Sequence, residues 1–107
     1  METKAPEFGR FAEPTLLILV SLSDGPKHGY AMMQDIERGT GRPMGAGTLY
    51  AALARLEEGG LIEALAPVDR RRPYRLTAVG ASMLAEQLRG LSEFAKVGLR
   101  QLGETRP

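Results

Sequence analysis

Four arginines fall within six positions, Arg70, Arg71, Arg72 and Arg75, and Asp69 is the one acid beside them. A guanidinium is permanently charged and offers a planar fork of donors, so such a cluster suits phosphate oxygens. Acids gather elsewhere, at Glu57, Glu58 and Glu63, and the net charge of +1 therefore conceals one locally basic place. His28 is the only histidine and there is no cysteine. A thiol nucleophile and a cysteine-ligated metal are excluded, and a lone histidine lacks companions to hold zinc. No carboxylate pair or Ser-His-Asp set stands out, and Gly45-Ala46-Gly47 lacks the lysine of a phosphate-binding loop. The expected chemistry is non-covalent: no enzyme, no metal and no cofactor.

Charge runs are usually solvated loops, so the elements that carry them decide. With 107 residues the chain makes one domain with a thin core, which a second copy would help to bury. A hydrophobic share of 43% and a charged share of 25% are those of an ordinary globular domain. The longest apolar run, Leu16 to Val20, is too short to span a bilayer, and no signal-peptide pattern is evident. No membrane partner is expected, and the expected location is the cytoplasm.

Pro14 can open a helix over Thr15 to Leu22, nearly all apolar and so read as buried. After the turn Ser23-Asp24-Gly25-Pro26, a second helix is expected from Gly29 or Tyr30 to Arg38, with Tyr30, Met33 and Ile36 inward. The third, from Gly45 or Ala46 to Glu58, carries the stripe Leu49, Leu53, Leu56 and stops at Gly59-Gly60. Strands are expected at Leu61–Ala66 and Pro73–Leu76, joined by a mobile tip because no Asn-Gly turn is present. Thr77 caps a last helix to about Leu102, along which Leu84, Leu88, Leu91, Ala95, Gly98 and Leu102 form a seam, widened by Phe94, Val97 and Leu99.

The fold class is therefore mainly α with a small β-wing, a winged helix-turn-helix of order α-α-α-β-β-α. A flexible arm over 1–13, a DNA-binding domain over 14–77, a dimerisation helix over 78–102 and a flexible tail over 103–107 are the expected divisions. In a helix-turn-helix the third helix enters the major groove. If Leu49, Leu53 and Leu56 face the core, Thr48, Ala51, Ala52 and Arg55 face the other way: small residues that admit close approach, and one arginine that can pair with guanine or phosphate. The alternative is a winged-helix protein-interaction module without specific DNA binding.

The strings Gly25-Pro26-Lys27-His28-Gly29-Tyr30, Gly47-Thr48-Leu49-Tyr50 with Leu53, Leu56, Glu57 and Gly59 to Ile62, and Arg72-Pro73-Tyr74-Arg75-Leu76-Thr77 with Gly80, resemble the PadR family of bacterial winged-helix transcriptional regulators. The resemblance runs from about Pro14 to Leu102. It implies a homodimeric regulator, expected to be a repressor, on a palindromic operator in double-stranded DNA, with a small-molecule effector at the dimer interface left open. It implies that Lys27, His28, Tyr30, Gly45, Ala46, Gly47, Thr48, Tyr50, Ala51, Arg55, Arg70, Arg71, Arg72 and Arg75 face DNA. The implied dimer interface is Leu16, Leu17, Leu84, Leu88, Leu91, Phe94, Ala95, Leu99 and Leu102, the last helix meeting the partner's N-terminal region. Gly45 stands where the family often has serine, which removes one phosphate contact. The wing is short, and the absence of tryptophan argues against a drug sandwiched between indoles. Taken by themselves, His28 reads as a capping residue, Tyr30 as packed between helices, Tyr74 as structural and the methionines as core filler.

Overall fold

The computed structural model describes residues 13–104. Of the expected arm only Glu13, and of the expected tail only Gly103 and Glu104, belong to it; the rest of those expectations lies outside the described residues. Pro14 opens α1 (Pro14–Ser21), and a 3-10 turn over Leu22–Asp24 leads to a short strand β1 (Lys27–His28). Helix α2 (Gly29–Thr40) begins on His28, whose ring accepts from the Ala31 amide, and runs two residues past Arg38. Helix α3 (Ala46–Glu58) is followed by β2 (Ile62–Ala64) and β3 (Pro73–Leu76). Helix α4 (Ala78–Gln101) is capped by Thr77, whose hydroxyl accepts from the Gly80 amide at 3.0 Å and donates to the Gly60 carbonyl at 2.7 Å.

The expected two-stranded ribbon is in fact a three-stranded antiparallel sheet in the order β1-β3-β2. His28 pairs with Pro73 and Lys27 with Tyr74 on one edge of β3; Ile62, Glu63 and Ala64 pair with Leu76, Arg75 and Tyr74 on the other. Two residues give no periodicity to read, so β1 could not be foreseen. Its effect is to tie the start of α2 to the base of the wing.

The core contains Ile18, Leu19, Leu22, Met32, Ile36, Leu49, Ala52, Leu53, Leu56, Ile62 and Leu84. The stripe on α3 holds, but Ala52, expected on the outer side, is fully buried. At about 100° per residue it lies only about 60° from Leu49, well within the inward face. In α2, Met32 fills the core where Met33 was expected, because it stands four residues from Ile36 and shares its face. Tyr30 is 56% exposed, not packed between helices. No helix among the described residues is long and apolar enough to cross a membrane.

The first turn of α4 is pressed on the chain before β2: a Cβ on Gly80 would lie 2.0 Å from the Leu61 carbonyl oxygen. Beyond Leu84 the helix leaves the core. Leu88, Leu91, Phe94, Leu99 and Leu102 are exposed, Phe94 and Leu102 by about three-quarters.

A charged cluster joins α1, β1 and α2. The Lys27 ammonium binds the Ser21 carbonyl, Asp24 and Asp35; Ser21 donates its hydroxyl to Asp35 at 2.9 Å, and Arg38 pairs with the same carboxylate. The Lys27 hydrogen bond, helped by Ser21 and opposed by burial, holds Asp35 below the usual carboxylate range. Burial works to lower Lys27, but Asp24 and Asp35 outweigh it and hold the ammonium above its ordinary value. A carboxylate with a depressed pKa stabilises the fold above its unfolded value, here 3.8, and that stability is lost as pH falls through the lower folded value. Asp35→Asn should therefore cost about 1–2 kcal/mol near neutral pH, and the gap to the parent should close below about pH 4. Urea unfolding at pH 7 and pH 3 checks this; an equal gap at both would show that the charge of Asp35 is immaterial.

Candidate nucleic-acid interface

The wing tip is tighter than its sequence suggests. Val68 and Arg71 exchange both backbone hydrogen bonds, at 2.7 and 2.9 Å, so only Asp69 and Arg70 form the turn. Both have positive φ, 52° and 66°. Left-handed backbone at both central residues is what lets a two-residue turn follow the twist of its strands. Aspartate tolerates that region, whereas arginine enters it with strain. The turn closes without an Asn-Gly pair, held by the isolated Val68–Arg71 bridge.

The four arginines have different fates. Arg71 directs its guanidinium to His28 Nε2 at 3.3 Å. Arg72 donates to the Leu65 carbonyl at 3.0 Å, and Arg75 pairs with Glu63 across the sheet. Arg70 has no side-chain hydrogen bond among the described residues and stands at the tip.

Between wing and α2 lies an open cleft of about 320 Å³. Arg70, Arg71 and Arg72 line it from the wing, His28, Gly29 and Tyr30 from the start of α2, Tyr50 from α3 and Tyr74 from β3. Gly29 makes this meeting possible. A Cβ there would stand 2.5 Å from the Tyr50 hydroxyl, so only a bare backbone lets that ring lie across the helix start. Burial, then the nearby Glu57 and Tyr50, push the Tyr74 phenol above its ordinary value, which keeps it neutral.

On α3, Gly45, Ala46, Gly47, Thr48, Tyr50, Ala51 and Arg55 are all exposed. Ala54 is exposed on the same outer side and was missed; its spacing of seven from Gly47 and three from Ala51 was the available signal. Arg55 lies in the last turn, about 10 Å along the axis from Thr48. Of the expected members, His28, Tyr30, Tyr50, Arg70, Arg71 and Arg72 line the cleft; those from Gly45 to Thr48, with Ala51 and Arg55, lie outside its lining on exposed positions, and Lys27 and Arg75 are engaged elsewhere. The ammonium of Lys27 is held in the Asp24–Asp35 cluster, and Arg75 is held by Glu63.

The expected dimer face also divides. Leu84 is 4% exposed and belongs to the chain's own core, because α4 is still packed on the domain there. Leu16 and Leu17 are half-buried beside a groove of about 440 Å³ that Val20 and Ile36 share. Leu88, Leu91, Phe94, Ala95, Leu99 and Leu102 remain on the exposed length of α4.

Residues 18–86 match the PadR-like family of transcriptional regulators. The chain is 38% identical over 86 residues to an uncharacterised 37.1 kDa protein of a Streptomyces fradiae transposon, a match covering 80% of this chain and 25% of that protein. The chain thus spans about a quarter of that relative's length. It is also 38% identical over 93 residues to a transcriptional regulator of Mycobacterium tuberculosis, covering 84% of this chain and 85% of the regulator. Its fold is similar to that of a PadR family transcription regulator from Clostridium difficile, with TM-score 0.73 and 25% identity over 85% of this chain and 98% of that one.

The strain at the wing tip is measurable. Arg70→Gly removes the side chain that disfavours a φ of 66°, and should raise stability by up to about 1 kcal/mol. Thermal unfolding reads this directly, and a lower midpoint would show that the arginine is not strained there.

Proposed function

The chain belongs to the PadR-like family of transcriptional regulators, and from that premise we propose that it binds double-stranded DNA as a homodimer and represses transcription from a palindromic operator. Residues 14–77 act as the DNA-binding unit and α4 as the dimerisation helix. The observation that carries the reading is the shared cleft, where Tyr50 of α3, His28 and the arginines of the wing tip stand together without a carboxylate in the lining. In this reading α3 lies in the major groove with Gly47, Ala51 and Ala54 closest to the bases. The wing tip lies on the adjoining backbone, where arginine meets phosphate or a narrow minor groove. The exposed leucines and Phe94 of α4 supply the apolar surface for a second copy. A small-molecule effector would act where the two copies meet. The protein would work in the cytoplasm, on the nucleoid.

Two experiments test the reading. Wild-type protein should sediment as a dimer at micromolar concentration, and Leu88→Glu with Leu91→Glu should yield monomers or unfolded chain. A folded wild-type monomer would overturn the dimer. For DNA, the upstream region of the protein's own gene supplies the first duplex. Tyr50→Phe should cost about 1 kcal/mol of binding. Arg55→Ala should cost roughly 1–3 kcal/mol and relax the preference at one base pair if the arginine reads guanine. Leu53→Ala is the control, losing about 2–5 kcal/mol of stability through a core cavity. Unchanged affinity in both outer-face variants would place the wrong side of α3 in the groove. Binding that is insensitive to salt would favour a protein partner instead.

A further inference from the structure

His28 meets a donor at each ring nitrogen. Its Nδ1 faces the Ala31 amide at 3.4 Å, one of the backbone donors at a helix start that have no partner within the helix. Its Nε2 faces the Arg71 guanidinium at 3.3 Å, a group that can only donate. A neutral imidazole has one accepting nitrogen and one N–H, so it cannot accept from both; a protonated ring accepts from neither. The Ala31 amide is fixed by the helix, and it takes the accepting nitrogen. In the tautomer that leaves Nδ1 to the Ala31 amide, the ring proton is on Nε2, and two donors, Nε2–H and the Arg71 guanidinium, stand side by side with no acceptor between them.

We propose that His28 and Arg71 form a single clamp for one phosphate oxyanion of the DNA backbone, an inference that rests on the DNA-binding reading above. A charged oxygen between the two groups accepts from both, and hydrogen bonds to a charged acceptor are the strong kind. The clamp is preset: pairing of His28 with Pro73 fixes β1 against the wing base, and the two-residue turn fixes Arg71. Among the charged groups nearby, Arg70 and Arg72 line the same cleft, and the Lys27 ammonium is held by Asp24 and Asp35. Asp69 lines a separate recess with His28 and Arg71 and would repel an anion there, whereas no carboxylate lines the cleft that Tyr50 shares. That shared wall with α3 favours a DNA phosphate over a free one.

The test uses full-length protein and a random-sequence duplex over a salt series. His28→Asn keeps an oxygen near the Nδ1 position and so keeps the helix cap, but loses Nε2. His28→Gln restores an amide donor near Nε2. His28→Asn and Arg71→Ala should each weaken duplex binding about 3–10-fold; Arg71→Ala should also lower the salt slope by about one, whereas His28→Asn, which removes no charge, should leave the slope nearly unchanged. The double variant should bind little more weakly than Arg71→Ala alone, because the two groups share one oxyanion, and His28→Gln should retain near-parental affinity, with thermal unfolding confirming that each variant is folded. A double variant whose affinity loss is the product of the two single losses would mean two separate contacts and would overturn the clamp. So would His28→Asn binding as tightly as the parent. Inorganic phosphate that shifts the His28 ring resonances while duplex affinity ignores His28→Asn would assign the site to free phosphate, against the proposal. A parent protein that shows no salt-dependent duplex binding at all would instead bring down the DNA-binding reading itself.

Discussion

The inward face of α3 is the constraint on which the rest depends. Leu49, Ala52, Leu53 and Leu56 are all essentially buried, so the helix is held in one rotation about its axis. Packed interiors tolerate little volume change, and a one-residue roll would bring Tyr50 and polar positions into contact with α1 and β2. With that rotation set, Gly47, Thr48, Ala51, Ala54 and Arg55 face outward together. Tyr50, at the margin, is left where it can reach the start of α2. Gly29 then matters because of Leu49 and Tyr50: a side chain there would press on both.

The sheet performs a second positioning task. Through β1, the start of α2 is bonded to the same strand that carries the wing, so His28 and the wing arginines are held on one sheet. The charged cluster of Lys27, Asp35, Ser21 and Asp24 anchors the other side of β1 to α1 and α2. Lysine at 27 and histidine at 28 are neighbours in sequence but serve different ends, one holding the fold and the other facing the cleft. Successive residues of a strand point to opposite faces, and this alternation separates them.

Against these well-held parts stands α4, whose first turns are sealed and whose remainder is not. Gly80 and Leu84 are buried, and from Leu88 onward the apolar residues are largely exposed among the described residues. A helix is stabilised mainly by packing of an apolar face, and so many exposed large apolar side chains on one element are unusual for a finished surface. The same residues that make α4 a poor solvent-exposed helix make it a good surface for another copy.

The sequence by itself determined the order of the four helices and the two wing strands, the stripe on α3, the bounds of β3, the cap at Thr77 and the membership of the family, because each is a local pattern of period or of motif; the short strand β1 was not among them. The inwardness of Ala52, the place of Met32 and the exposure of Tyr30 needed the rotation of each helix against its neighbours, which alanines and adjacent methionines leave ambiguous. Only the tertiary structure decided which cations are free. Lys27, Arg71, Arg72 and Arg75 read alike in sequence, yet one lies in an ion cluster, one faces a histidine, one caps a carbonyl and one pairs across the sheet. The bounds of helices come from neighbours in the chain, whereas the partner of a long charged side chain comes from whatever the fold brings within about 4 Å.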